Sequence, residues 1–273
     1  MSMNPEMPFE ELYQSLKTGT SLFPIKQVRD LTQIELGNGF SLVIAVDSDG
    51  GIGSLPADVV KCSDHLLGRF AIRVPLMEII ACGAWPLAAF DMLTLPMHPH
   101  GKKIIEGIRT ELAEAGLGTN FPLSGSTEDN VPTSMTGIGT LVLGLVKEED
   151  FRPGKSHVGD QVLCLGLPKS GPVDVICLED KEIIKVSELK TIMRVEGIHD
   201  VLPVGSRGVL YEARQMASLA QMNFIPVNQS AVDLHKSAGP STCVLVSCQP
   251  EAELKLLKLL ELPIINVGYL AHA

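Results

Sequence analysis

The sequence predicts an α+β protein in two parts, residues 1–150 and 151–273. The first part alternates short apolar β-rich runs with helical patterns, and the second closes on strand, helix and strand (TCVLVSC, PEAELKLLKLLEL, PIINVGYL). Between them the polar stretch EEDFRPGKSHV, residues 148–158, carries a Pro-Gly and reads as a boundary. At 273 residues the chain is long enough to bury two mid-sized cores.

Hydrophobic residues make up 45% of the chain and aromatics only 4%, so the expected core is aliphatic. A net charge of −10 argues against non-specific binding to nucleic acid or an anionic membrane, both of which need a basic face. The six cysteines are well separated, without a C-x-x-C, and several sit in apolar runs, as buried reduced thiols do. The N-terminal residues lack a basic region followed by an apolar one, and no uncharged run is long enough to span a bilayer. The expectation is a cytoplasmic protein.

In chain order, residues 9–16 (FEELYQSL) read as a short amphipathic helix or an arm. Residues 27–46 read as a hairpin turning at Gly37-Asn38-Gly39, with Asp30 on its first strand. The run LVIAV then empties into DSDGGIGS, a strand delivering Asp47 and Asp49 to a glycine-containing loop. Those carboxylates are hard oxygen ligands of the kind Mg²⁺ takes; the same residues also fit a plain Asp-Gly turn.

Residues 57–82 read as a helix buried on several sides, and Glu78 within it needs a partner or a metal to offset its burial. Gly83 closes that helix, and LAAFDMLTL, with Asp91 inside it, reads as a strand. His98-Pro99-His100 has no third ligand nearby and reads as a loop before a helix over residues 102–115. A second acidic loop follows, Ser124-Gly125-Ser126-Thr127-Glu128-Asp129-Asn130, and then the apolar strand TGIGTLVLGLV. In the second part, VLCLGLP reads as a strand, residues 179–193 as a helix, and a Gly205/Gly208 loop feeds a helix from about Val209.

Five pieces in this order, VDSDGGIGS, MEIIACGAWPLAAFDML, SGSTEDN, GDQVLCLGLPKSG and GIHDVLPVGSRGVLYEARQMA, resemble the superfamily of aminoimidazole-ribonucleotide synthetase, thiamine-monophosphate kinase, selenophosphate synthetase and the hydrogenase-maturation dehydratase. The resemblance covers nearly the whole chain. It implies a two-domain PurM-like fold: an N-terminal domain that pairs strands with a second subunit in a dimer barrel, then a C-terminal α/β sandwich. It also implies ATP and Mg²⁺ in the first domain. Carried over, Asp30, Asp47, Asp49, Glu78, Glu128 and Asp129 become metal ligands, with Asp47, Glu78 and Asp129 the catalytic acids. Gly50, Gly51, Gly125, Ser126, Thr127 and Asn130 become the phosphate-binding set, and His235, Lys236 and Ser237 cover the acceptor.

The departures from the pattern select among members. Ser54 stands where the synthetase has Lys, and Ser126 where the family has an acid, for which Glu128 or Asp129 substitutes. The chain is short for the family and has no cysteine of the selenophosphate-synthetase or dehydratase kind. The implied activity is an ATP-dependent small-molecule kinase of the α-ribazole type, in cobalamin biosynthesis, or of the thiamine-monophosphate type, acting as a homodimer. The alternatives are an ATP-dependent cyclase and a non-catalytic nucleotide-binding dimer.

Overall fold

The computed structural model describes residues 9–19 and 25–273. A leading helix, α1 (Phe9–Thr18), precedes a meander of β1 (Ile25–Val28), β2 (Leu31–Gly37) and β3 (Phe40–Gly50). The β2–β3 turn takes positive φ at Gly37, Asn38 and Gly39, which two glycines and an asparagine tolerate. A short parallel ribbon, β4 (Ile52–Gly53) with β5 (Val60–Lys61), leads into helix α2 (Asp64–Ala81).

Then come β6 (Trp85–Leu93), α3 (Lys102–Leu112), β7 (Leu123–Thr127) and β8 (Gly137–Lys147). The first sheet has the order β1-β2-β3-β8-β6-β7, with β3 and β8 paired along their full length and β7 parallel to β6. Its two faces differ. Val43, Ala45, Val142 and Ala89 are buried on the helix side, whereas Val46 is 60% exposed and Met92 43% exposed on the other.

The second half holds β9 (Gln161–Leu165), α4 (Val186–Ile192), β10 (Ile198–Pro203), α5 (Gly208–Leu219), β11 (Met222–Pro226), β12 (Val244–Cys248), α6 (Pro250–Leu259) and β13 (Ile264–His272). Its sheet is antiparallel throughout, in the order β10-β12-β9-β13-β11. One core joins Ile72, Leu76 and Ile79 of α2 to Leu163, Val201 and Val246 of the second sheet as well as to the first. Helix α2 is therefore packed between two sheets, which explains its apolar residues on nearly every side. Helix α5 covers the far face of the second sheet through Val209, Ala213 and Met216.

Three expectations are corrected. The helix expected from residue 57 starts at Asp64, because Ser63 caps it by accepting from Leu66 N, while Val59 and Cys62 donate instead to Gly51 and Gly53. The helix expected over residues 179–193 shrinks to α4, since Asp180 bonds Lys169 and the N–H of Glu182, holding a turn there. Asp30 lies in the tight turn between β1 and β2 rather than on a strand, next to Arg29 at φ 55°.

Candidate functional site

Asp47 and Asp49 stand on β3 itself, not on the loop expected after it: pairing with β8 continues to Gly50↔Gly137, so the strand holds both carboxylates. Being two residues apart, they point to the same face, the one that carries α2. Thr140 pairs opposite Asp47 and donates to Ala71 O at 2.8 Å, fixing the helix against that row. Asp49 then opens onto a cleft of about 540 Å³ between the halves. Ile52, Lys61 and Phe70 line it on one side, and Ser170, Val175, Ile176 and Pro240 on the other.

Behind Asp47 lies a row of further carboxylates. Burial, and then the neighbouring Asp49, raise the Asp47 carboxyl to about 6; burial raises Asp49 as well. Glu78 is pushed to about 8 by burial and then by Asp30, with Arg29 opposing. Glu212 of α5 is raised to about 7 by burial and then by Asp30. Arg29 does not neutralise this group, because its guanidinium is paired with Asp200. Asp49, which opens onto the cleft, and Asp47 behind it offer under-compensated acidic oxygens of the kind a hard dication takes, with waters and phosphate oxygens as its remaining ligands.

The first loop is clamped to the segment before β8. Asp58, buried, accepts from Leu55 N (2.8 Å), Thr136 N (2.7 Å) and Thr136 Oγ1 (2.8 Å). Burial alone would raise its carboxyl, but these donors together with Lys61 hold it below the usual value. Gly51 N donates to Thr136 O, so Gly50 and Gly51 are set by the same clamp.

The second acidic loop is placed differently from the expectation. Gly125 lies against Asp91 in a close approach that leaves no room for a Cβ, and Ser126 and Thr127 continue β7 opposite Met92 and Leu93. Glu128 accepts from Asn130 N (2.6 Å), and Asp129 from Met97 N (2.7 Å). Glu128 thus holds its own turn and Asp129 ties the loop to the segment after β6, and neither is among the principal charges acting on Asp47 or Glu78. Thr127 and Asp49 are three strands apart, about 14 Å at ordinary sheet spacing.

His100 Nδ1 lies 3.0 Å from Asp64 and 3.1 Å from Ser54, tying its loop to the start of α2. Ser54 is thereby engaged, and Lys61, donating only to the carbonyls of Leu55 and Pro56, is the cation that lines the cleft. On the opposite rim Lys236 pairs with Asp174 at 2.7 Å, Ser237 accepts from Gly239 N at 3.1 Å and His235 N donates to Asp233 at 2.9 Å. Sequence reasoning left Asp58, Lys61, Asp91 and Glu212 without roles. Glu212 was findable as a carboxylate on the apolar face of α5, and Asp91 as one inside an apolar strand; nothing local marks Asp58 or Lys61.

An open-faced mixed sheet, a doubly packed helix bearing Glu78 and a second antiparallel sheet closing over strand-end aspartates together make up the PurM-like fold. Among solved structures the chain is similar to thiamine-monophosphate kinase from Stenotrophomonas maltophilia K279a, with a TM-score of 0.61, 14% identity and coverage of 100% of this chain and 96% of that one. It is also similar to AaThiL complexed with AMPPCP and TMP (TM-score 0.59, 14% identity, 100% and 93% covered). A third likeness is to T. maritima PurL complexed with ATP (TM-score 0.63, 15% identity, 92% of this chain and 42% of that one). No protein-family model and no curated protein sequence matches the chain.

Proposed function

We propose that this chain is an ATP- and Mg²⁺-dependent phosphotransferase that carries a γ-phosphoryl group to a small heterocyclic acceptor, of the α-ribazole or thiamine-monophosphate type. The observation that carries the reading is the Asp47–Asp49 pair, held on one face of β3 with Asp49 opening onto the cleft between the halves and Asp47 directly behind it. Phosphoryl transfer asks a protein chiefly to position groups and offset charge. Asp47 and Asp49 are the ligands nearest the phosphates, Asp30 and Glu78 the carboxylates behind them, and Lys61 the cation toward the transferred group. Held by Asp47 and Asp49, Mg²⁺ would supply the positive charge that offsets the phosphate oxygens.

Residues 1–150 hold the nucleotide, and residues 151–273 close over the acceptor. Phe70, Val175 and Ile176 give the cleft an apolar wall suited to a flat heterocycle, and Val175 is 89% exposed toward it. Gly125, Ser126, Thr127 and Asn130 form a second backbone platform, shaped by Glu128 and Asp129. The open face of the first sheet, with Val46 and Met92, receives a second copy of the chain to form a homodimer.

The test is product analysis with γ-labelled ATP and Mg²⁺ against α-ribazole and thiamine monophosphate. Label on either acceptor supports the reading and names the branch. ADP with an unlabelled, cyclised product, or ATP binding without turnover of any acceptor, overturns it in favour of a cyclase or a binding protein.

A further inference from the structure

We propose that His157, Asp160 and His199 form a second metal site, for a transition-metal dication of the Zn²⁺ class, at the end of the second sheet remote from the cleft. Among the described residues these are the one group of three or more His, Cys, Asp or Glu side chains whose donor atoms all lie within 4.8 Å of one another. The carboxylates of the cleft do not form such a group. His199 Nδ1 is 3.0 Å from Asp160 Oδ1 and 2.8 Å from Oδ2, facing both carboxylate oxygens. The His157 and His199 rings are 4.0 Å apart between centroids and inclined at 42°, and one nitrogen of each lies within 4.8 Å of the other and of an Asp160 oxygen. Tetrahedral Zn²⁺ with ligands at about 2.0–2.2 Å sets its donors about 3.3–3.5 Å apart, a spacing reached when the metal replaces the His199–Asp160 hydrogen bond and His157 draws in.

The supporting residues have the character of an outer ligand shell. Asp160 is 3% exposed and its Oδ2 accepts from His157 N at 2.7 Å and from Ser247 Oγ at 3.2 Å. Ser247 Oγ also lies 2.8 Å from Ser156 Oγ, within hydrogen-bond reach. Ligating carboxylates are commonly oriented by such secondary hydrogen bonds. His157 is exposed, which leaves an entry path and a position for water. The mixed nitrogen and oxygen set favours a borderline dication over Mg²⁺, which prefers oxygen alone.

The position gives the site a structural role. Asp160 immediately precedes β9, whereas the cleft residues of this half begin at Ser170, beyond the strand's far end about 17 Å away. His199 adjoins Asp200, which holds both Gly154 N and Arg29. A dication here fastens the segment joining the halves to β10, next to the ion pair that links them.

Tag-free, metal-stripped full-length protein titrated with Zn²⁺ tests this, with cobalt substitution reporting ligand geometry by its visible absorption. The expected result is one tight equivalent of Zn²⁺, undisturbed by excess Mg²⁺, and a higher Tm on loading. His157→Ala, at an exposed position that does not endanger folding, weakens binding at least tenfold and abolishes the Tm rise. Ser247→Ala weakens it about tenfold through the carboxylate. His65→Ala, an exposed histidine elsewhere, leaves it unchanged. No tight equivalent in the parent protein, or one that survives in His157→Ala, overturns the proposal.

Discussion

Arg29 in the β1–β2 turn and Asp200 on β10 form an ion pair across the junction of the halves, with side chains 5% and 0% exposed. The guanidinium also reaches Val201 O, while its Nε has no hydrogen-bond partner among the described residues. Breaking such a pair from one side leaves a buried charge uncompensated. Arg29→Met is therefore expected to lower stability by about 3–5 kcal/mol, measured by urea unfolding. The double variant Arg29→Met/Asp200→Leu recovers most of that loss.

The site's carboxyls set a pH dependence of stability. Asp47, Glu212 and Glu78 are raised to about 6, about 7 and about 8, by burial first and neighbouring carboxylates second. A raised carboxyl keeps its proton in the folded state where the unfolded chain has lost it, so stability falls as pH rises from the ordinary value of about 4 to the raised one. In EDTA, Tm should decline between pH 5 and pH 8, as the ordinary and raised pKa values imply, and Mg²⁺ with ATP should offset the decline. Glu78→Gln should flatten the upper part of the slope. A Tm that holds or rises across this window contradicts the assignment.

Asp58 links the two loops that flank the cleft, and its carboxyl is held low by the donors around it. Its contribution is present above the ordinary carboxylate range and lost on acidification through the lowered value. Asp58→Ala leaves Thr136 N and Leu55 N without their acceptor, costing about 1–3 kcal/mol in chemical denaturation. ATP affinity should fall with it, since Gly51 is set by the same clamp.

The open sheet face predicts self-association. Val46→Glu places a charge among Ile44, Leu143 and Met92 without touching the helix side of β3. Sedimentation velocity should show a dimer in the parent protein and a monomer in the variant. An unchanged mass in the variant removes this face from the assembly.

The elements that the sequence made legible are those governed by local periodicity. The strands from LVIAV, TGIGTLVLGLV and TCVLVSC, and the all-round apolar helix with Glu78 in it, follow from side-chain spacing alone. Where long-range hydrogen bonds decide, spacing misled: residues 57–62 have helical composition but bond to the Gly51–Gly53 loop, and residues 179–185 are held by Lys169 and Asp180. The carboxylates divide in the same way. Asp47 and Asp49 are legible as a pair of acids at the end of LVIAV, but the alternation that aligns them comes from pairing with β8, which extends the strand through the expected loop. Whether Glu128 and Asp129 join them depends on strand order, and the sheet places them at its far edge, Glu128 bonded within its own turn and Asp129 to Met97 N.

The most direct test of the account is calorimetric titration of ATP into the protein with and without Mg²⁺, for the parent chain and Asp47→Asn. Binding is expected to require Mg²⁺ and to weaken at least tenfold in Asp47→Asn. ATP binding that ignores Mg²⁺, or an Asp47→Asn variant that binds Mg²⁺ and ATP as the parent does, contradicts it.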